Sequence, residues 1–108
     1  MKSTQALWDR YYQATLYGGP WGLGTWIAAA KARSKKLAVP EWGVWAQSRN
    51  PAPDDPVYIS NMYATFKTNA AWIDYESYFD VGAEHQLYPT TRFPNAAAAY
   101  RSLWSAGR

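Results

Sequence analysis

Segments with helical periodicity alternate along this chain with two short runs that are typical of strands. Two helical segments repeat apolar residues at i, i+3, i+4 and i+7, the stripe of an amphipathic helix. Their members are Leu23, Trp26, Ile27 and Ala30, then Ile59, Met62, Tyr63 and Phe66. The strand-like runs are Leu37–Val39 and Ala71–Phe79. Together with a first and a last helix, this alternation predicts parallel strands joined by helical crossovers.

Breaker and capping residues set the expected ends of the helices. Ser3 is a candidate cap for the first helix, which the sequence Gly-Gly-Pro at 18–20 should stop. Asp55 followed by Pro56 is a typical helix start, because proline is favoured at the first helical position. Pro94 or Asn95 should open the last helix.

Length and composition indicate one ordinary domain and exclude several classes of protein. The chain has 108 residues, of which 48% are hydrophobic and 18% charged, with a net charge of +3. It contains no cysteine, which excludes disulfides, thiol catalysis and thiolate metal sites. No apolar run approaches the roughly 20 residues of a membrane span, and the first residues contain no apolar core of a signal peptide.

The aromatic content is the unusual part of the composition. Seven Trp, nine Tyr and three Phe make up 18% of the chain. Aromatic side chains fill cores, but proteins that bind carbohydrate or nucleic acid also use them as stacking platforms. The composition leaves both uses open.

Glu41 is the first candidate for chemistry, because it directly follows the apolar run Leu37–Val39. In α/β folds, ligands bind at the carboxyl ends of parallel strands. Trp42 and Trp45 could supply a flat apolar wall beside it, which suits the face of a sugar ring. The alternative is structural, with the Glu41 carboxylate accepting backbone hydrogen bonds in a tight bend.

Several segments together resemble a known enzyme family. These are Gly18–Gly22 with Trp26, Val39–Gly43, Tyr75–Asp80, His85, and Phe93–Trp104. They are similar to the closing segment of the glycoside hydrolases that include the family 26 β-mannanases, within the clan of retaining (β/α)8-barrel glycosidases. The similarity extends over most of the chain, and its most specific part is Pro-Glu-Trp-Gly at 40–43.

The resemblance implies a fold and a function. The fold class would be α/β, with residues 1–108 forming a single partial domain, the C-terminal portion of a (β/α)8 TIM barrel that contains strands seven and eight. Glu41 would be the nucleophile of a retaining, double-displacement hydrolysis of β-linked, mannan-like polysaccharide. Trp42, Tyr78 and His85 would lie near the sugar. No cofactor or metal is expected, and the parent protein would be extracellular.

The chain also departs from that family. A complete barrel needs about 250 residues, and a retaining glycosidase needs a second carboxyl about 5 to 5.5 Å from the nucleophile. In the clan this acid/base lies on the fourth strand, and Glu76 is the only local candidate, although the family pattern gives it no such role. The isolated chain is therefore expected to be inactive on polysaccharide.

Other interpretations remain open at this point. One is a non-catalytic carbohydrate-binding or interaction module that uses Trp42, Trp45 and Tyr78. The basic run 31–36 could contact phosphates, but lysines and arginines at a helix C-terminus explain it without nucleic acid. Asp54 and Asp55 could hold a cation, although helix capping is the simpler use. Unpaired strand edges predict possible self-association.

Overall fold

Four α-helices and four β-strands make up the described part of the chain. The structure, a computed structural model, describes residues 4–48, 53–89 and 91–105. The elements are α1 Thr4–Tyr12, β1 Thr15–Leu16, β2 Gly19–Pro20, α2 Leu23–Ala32, β3 Leu37–Trp42, α3 Pro56–Thr68, β4 Ile73–Tyr78 and α4 Pro94–Ser105, with a 3₁₀ turn at Ala70–Trp72. β1 pairs antiparallel with β2, and β3 pairs parallel with β4.

The predicted barrel segment is wrong. Within the described residues the chain is a small α/β structure with only two sheets of two strands each, not the C-terminal part of a (β/α)8 barrel. The helices and the two longer strands do lie where the apolar spacing places them. Apolar spacing, however, reports local conformation and the buried face of an element, and it carries no information on how many strands a sheet contains.

The short hairpin is an element that the sequence did not indicate. Gly18 does not stop α1, which already ends at Tyr12. Instead, Tyr17 and Gly18 adopt φ values of 52° and 77°, the left-handed pair typical of a primed hairpin turn between β1 and β2. The backbone amides of Trp21 and Gly22 then donate to the Ala14 carbonyl at 3.2 and 2.9 Å, which ties the hairpin to the end of α1.

Two adjacent aspartates cap two different helices. Asp55 Oδ1 accepts from the amides of Val57 and Tyr58, both at 3.1 Å, so α3 begins at Asp55 and Pro56 as predicted. The Asp54 carboxylate accepts from the amides of Asn95 at 3.0 Å and Ala96 at 2.7 Å, at the start of α4. Capping, not cation binding, therefore accounts for this acidic pair, while Ser3 lies outside the described residues.

The core lies between the parallel sheet and the two following helices. Phe93, Ile59 and Leu87 are its most deeply buried large side chains. Val39 and Tyr78 pack against this cluster from the sheet. The opposite face of the sheet is exposed in the described chain, although parallel sheets are usually covered on both faces. None of the described helices is long and apolar enough to cross a membrane.

Candidate functional site

A β-bulge interrupts β3 immediately before its end. Val39 pairs with Glu76 and Trp42 pairs with Tyr78, so β3 advances three residues while β4 advances two. The additional residue falls at Pro40 or Glu41. Proline has no amide hydrogen to donate to a strand ladder and is tolerated at bulges. The sequence Val-Pro-Glu-Trp therefore favours this irregularity locally.

The bulge determines which side chain enters the core. Side chains alternate between the two faces of a strand, so regular pairing would put Glu41 on the buried face with Val39 and turn Trp42 outward. The extra residue reverses that alternation. Trp42 is only 6% exposed and belongs to the core cluster, whereas Glu41 is exposed. The bulge thus turns the Glu41 carboxylate toward solvent. Bulges that redirect a side chain in this way are common beside active sites.

The exposed face of the sheet carries three kinds of functional group. Tyr75, which is 53% exposed, and Ser77 lie two residues apart on β4, and Ser77 follows Glu76 opposite the bulge. The face therefore carries a carboxylate, a hydroxyl and an aromatic ring. No hydrogen bond ties the Glu41 side chain to another described residue.

Tyr75 and Ser77 were not predicted as site residues, because strict alternation puts both on the same face as Ile73, which packs against the core. The register shift between Leu37 and Ala38, where β4 has one extra residue, turns them to the exposed face.

Trp42 and Glu76, both predicted at the sugar site, lie instead inside the aromatic core. The indole Nε1 of Trp42 donates to Glu76 Oε2 at 2.6 Å, and Nε1 of Trp104 donates to Glu76 Oε1 at 3.0 Å. The Trp42 ring also makes an edge contact with Tyr78, with centroids 5.0 Å apart. Both carboxylate oxygens of Glu76 are therefore engaged, and the Trp42 ring has no open face for a sugar in this arrangement.

Tyr78 and His85 join the loops that follow the two parallel strands. The Tyr78 hydroxyl accepts from the Val44 amide at 3.2 Å and donates to the His85 carbonyl at 2.7 Å. His85 Nδ1 lies 2.9 Å from the Val44 carbonyl oxygen, and because a carbonyl only accepts, Nδ1 is the donor. Burial raises the pKa of Tyr78 to about 12, against the opposing effect of the Val44 amide. Both residues therefore connect the loop that follows β3 to the loop that follows β4.

Trp45 remains a candidate platform at the same edge of the sheet. It is 50% exposed, and its Nε1 donates to Glu84 Oε2 at 3.3 Å. Gln47 Nε2 donates to the other oxygen of Glu84 at 3.3 Å. Because Glu84 holds the edge of the indole, the ring is oriented while much of its surface stays open to a ligand.

The other carboxylates near this edge are engaged by the protein itself. Asp80 Oδ1 accepts from the amides of Leu87 and Tyr88, while Glu76 and Glu84 bind the side chains described above. Glu41 is therefore the carboxylate of this group that no described residue engages. In the same part of the chain, no group of three or more His, Cys, Asp or Glu side chains is arranged to hold a metal ion.

Comparisons with known proteins give no relative to guide the interpretation of this site. No family model matches the chain, no curated protein is similar to it, and no solved structure matches its fold. The geometry of Glu41 and its neighbours is therefore the basis for assigning a function.

Proposed function

We propose that the exposed face of the parallel sheet is the sugar-binding face of a retaining β-glycoside hydrolase and that Glu41 is its nucleophile. The observation that carries the proposal is the bulge in β3, which turns Glu41 out of the core at the carboxyl end of a parallel strand. A purely structural Glu41 would be expected to accept hydrogen bonds, and within the described residues its carboxylate accepts none.

The chemistry is a double displacement at the anomeric carbon. A Glu41 oxygen attacks that carbon, the bond to the leaving oxygen breaks with its electron pair, and a glycosyl ester forms. Water then attacks the same carbon and releases Glu41. A second carboxyl about 5 to 5.5 Å away protonates the leaving oxygen and later deprotonates the water. Glu76, Asp80 and Glu84 are engaged within the protein, so none of these three is assigned that role.

The neighbouring groups suit a neutral sugar. The rings of Tyr75 and Trp45 offer apolar surface to the C–H face of a pyranose, and the Ser77 hydroxyl offers a donor and an acceptor. The resemblance of residues 40–43 to the β-mannanase group favours β-linked mannan as the polysaccharide and an extracellular parent protein.

A second candidate function is glycan binding without hydrolysis. The observation that favours it is the engagement of the three neighbouring carboxylates, which leaves Glu41 without a described acid/base partner. In that case Glu41 accepts hydrogen bonds from sugar hydroxyls while Tyr75 and Trp45 stack on the ring.

An activated substrate separates the two functions. Dinitrophenyl β-mannoside releases a stable dinitrophenolate that needs no protonation, so it tests the nucleophile without the acid. The hydrolase proposal predicts a burst of dinitrophenolate that approaches one equivalent of protein and is lost in Glu41→Gln. Asp74→Asn changes an exposed carboxylate on β4 at the end away from the bulge in β3; it is the control and keeps the burst.

The binding alternative predicts a different pair of results. β-1,4-Mannotetraose would perturb the amide resonances of Tyr75 and Ser77, and Tyr75→Ala would weaken that binding, while no dinitrophenolate burst appears under any condition. A protein that neither shows the burst nor binds mannotetraose at the sheet contradicts both functions.

A further inference from the structure

A groove lined by aromatic rings lies away from the Glu41 face, between α1, the start of α2 and the start of α3. It encloses about 530 Å³, within the usual range of small-ligand sites. The five rings that line it are those of Trp8, Tyr11, Tyr12, Trp21 and Tyr58. Tyr11 and Trp21 are 53% and 50% exposed, so open aromatic surface adjoins the cavity.

Four of these rings have a polar group that no other described residue engages. The indole N–H groups of Trp8 and Trp21 and the hydroxyls of Tyr11 and Tyr12 bind no other described residue. No buried side-chain nitrogen or oxygen of the partly buried described residues lacks a hydrogen-bond partner, so the Trp8 indole N–H and the Tyr12 hydroxyl are accessible to solvent. Tyr11 and Trp21 are themselves about half exposed. The groove therefore offers apolar ring faces together with unused hydrogen-bonding groups.

Close helix packing builds the groove before any ligand binds. A Cβ atom on Gly22 would lie 1.9 Å from the Tyr11 carbonyl oxygen, and one on Gly24 would lie 2.3 Å from Cε1 of Tyr12. Only glycine permits this approach of α2 to the end of α1. The Trp8 and Tyr12 rings stack with their centroids 5.4 Å apart, which restricts both.

The charge of the lining limits what the groove binds. Its only charged side chain is Asp55, whose Oδ1 already caps α3, and the lining contains no Lys, Arg or His. Arg10 is not part of the lining, and its guanidinium lies over the Tyr11 ring, 5.4 Å from the ring centroid. A cationic ligand would find the Asp55 carboxylate already engaged in capping. A neutral ligand with a flat C–H face and several hydroxyls matches the ring faces and their polar ends.

We propose that this groove is a second carbohydrate site, which binds a neutral pyranose ring of a glycan by stacking on Trp21 and Tyr11 and by hydrogen bonds to the ring ends. The proposal does not depend on Glu41, because the groove and the exposed sheet face share no residue.

Indole N–H resonances of the whole chain test this site directly. Titration with β-1,4-mannotetraose is expected to shift the Trp8 and Trp21 indole signals and to leave those of Trp42 and Trp104, which donate to Glu76, in place. Trp21→Ala is expected to weaken binding about tenfold or more, a loss equivalent to about 1.4 kcal/mol. Trp26→Ala is the matched control, because Trp26 is 48% exposed and does not line the groove.

Three results would overturn the proposal. The first is the absence of shifts at the Trp8 and Trp21 indoles at millimolar mannotetraose. The second is an equal weakening of mannotetraose binding by Trp21→Ala and Trp26→Ala. The third is binding of tetragalacturonate, an anionic glycan, as tight as that of mannotetraose. Glu41→Gln separates this site from the hydrolase proposal, since it is expected to remove the dinitrophenolate burst while the groove indoles still respond.

Discussion

Two groups of aromatic side chains in this protein differ in what their polar ends contact. In the core, the indoles of Trp42 and Trp104 both donate to Glu76, and the Tyr78 hydroxyl binds two backbone groups. In the groove, the polar ends of Trp8 and Trp21 bind no described residue. A buried polar group is costly unless it is paired, so the indole N–H and phenol O–H groups of the core rings need partners within the protein. On a binding surface the same groups stay available for a ligand.

This difference explains how one chain can use so many aromatic residues. The contact of the polar end separates the core rings Trp42 and Trp104, whose indoles are held by Glu76, from the groove rings Trp8 and Trp21, whose indoles bind no described residue. The same criterion distinguishes Glu41, whose carboxylate binds no described residue, from Glu76, which holds two indoles.

The largest expected effect is the loss of a core ring. Trp42→Ala removes a side chain that is 6% exposed and leaves one oxygen of Glu76 without its donor. We expect the free energy of unfolding to fall by about 3–5 kcal/mol, measured by urea denaturation. Trp26→Ala, which removes a half-exposed indole, is expected to change it by about 0.5 kcal/mol or less. Equal losses in the two variants would remove the distinction between core and surface rings.

Replacing the acceptor of the core indoles is expected to have the next largest effect. Glu76→Gln keeps the size of the side chain but turns an amide donor toward one of the two indole N–H groups. The expected loss is about 1.5–3 kcal/mol, because hydrogen bonds to a charged group are the stronger ones. Urea denaturation measures it, and Glu84→Gln serves as control at an exposed pair. An unchanged midpoint would show that Glu76 does not organise the core.

A methyl group at Gly22 tests the packing that builds the groove. Gly22→Ala places a Cβ against the Tyr11 carbonyl, so α2 must move away from α1, at a cost of about 1–3 kcal/mol. The same variant is expected to weaken mannotetraose binding at the groove indoles. Gly19→Ala, where the nearest atom to the added carbon is 3.7 Å away, is the control and is expected to preserve binding. Intact binding in Gly22→Ala would contradict a preformed groove.

Alkaline pH gives the smallest of the expected effects. Desolvation raises the pKa of Tyr78 from about 10 to about 12 in the folded protein, so folding favours the neutral phenol. The stability that follows is fully present below pH 10 and is lost as the pH rises toward 12. Urea midpoints across this interval should decline, and the decline should be shallower in Tyr78→Phe. An identical slope in the two proteins would assign the effect to other groups.

Parts of the fold could be predicted because their signals are local. Asp55 and Pro56 start α3 since capping and a fixed φ act within one helical turn. The buried stripe Ile59, Met62 and Phe66 follows from the helical period alone. The hairpin at Tyr17 and Gly18 was missed, because glycine and proline break helices and form turns equally well.

The site was only half predictable for a different reason. Glu41 was predicted from its position after the apolar run Leu37–Val39, but strict alternation would have buried it and exposed Trp42. Pro40 within a strand was the available sign of the bulge that reverses them. The groove depends on contacts between α1, the start of α2 and the start of α3, and no local pattern reports those contacts. The barrel prediction failed similarly, since sheet size is a property of tertiary pairing.

Covalent trapping is the most direct test of Glu41 as a nucleophile. A 2-deoxy-2-fluoro-β-mannoside with a dinitrophenolate leaving group forms the glycosyl ester without help from an acid, and the fluorine slows its hydrolysis. The account predicts that the intact protein gains the mass of one fluorosugar, that peptide mapping assigns it to Glu41, and that Glu41→Gln stays unlabelled. An unlabelled protein, or a label on any other carboxylate, would contradict it.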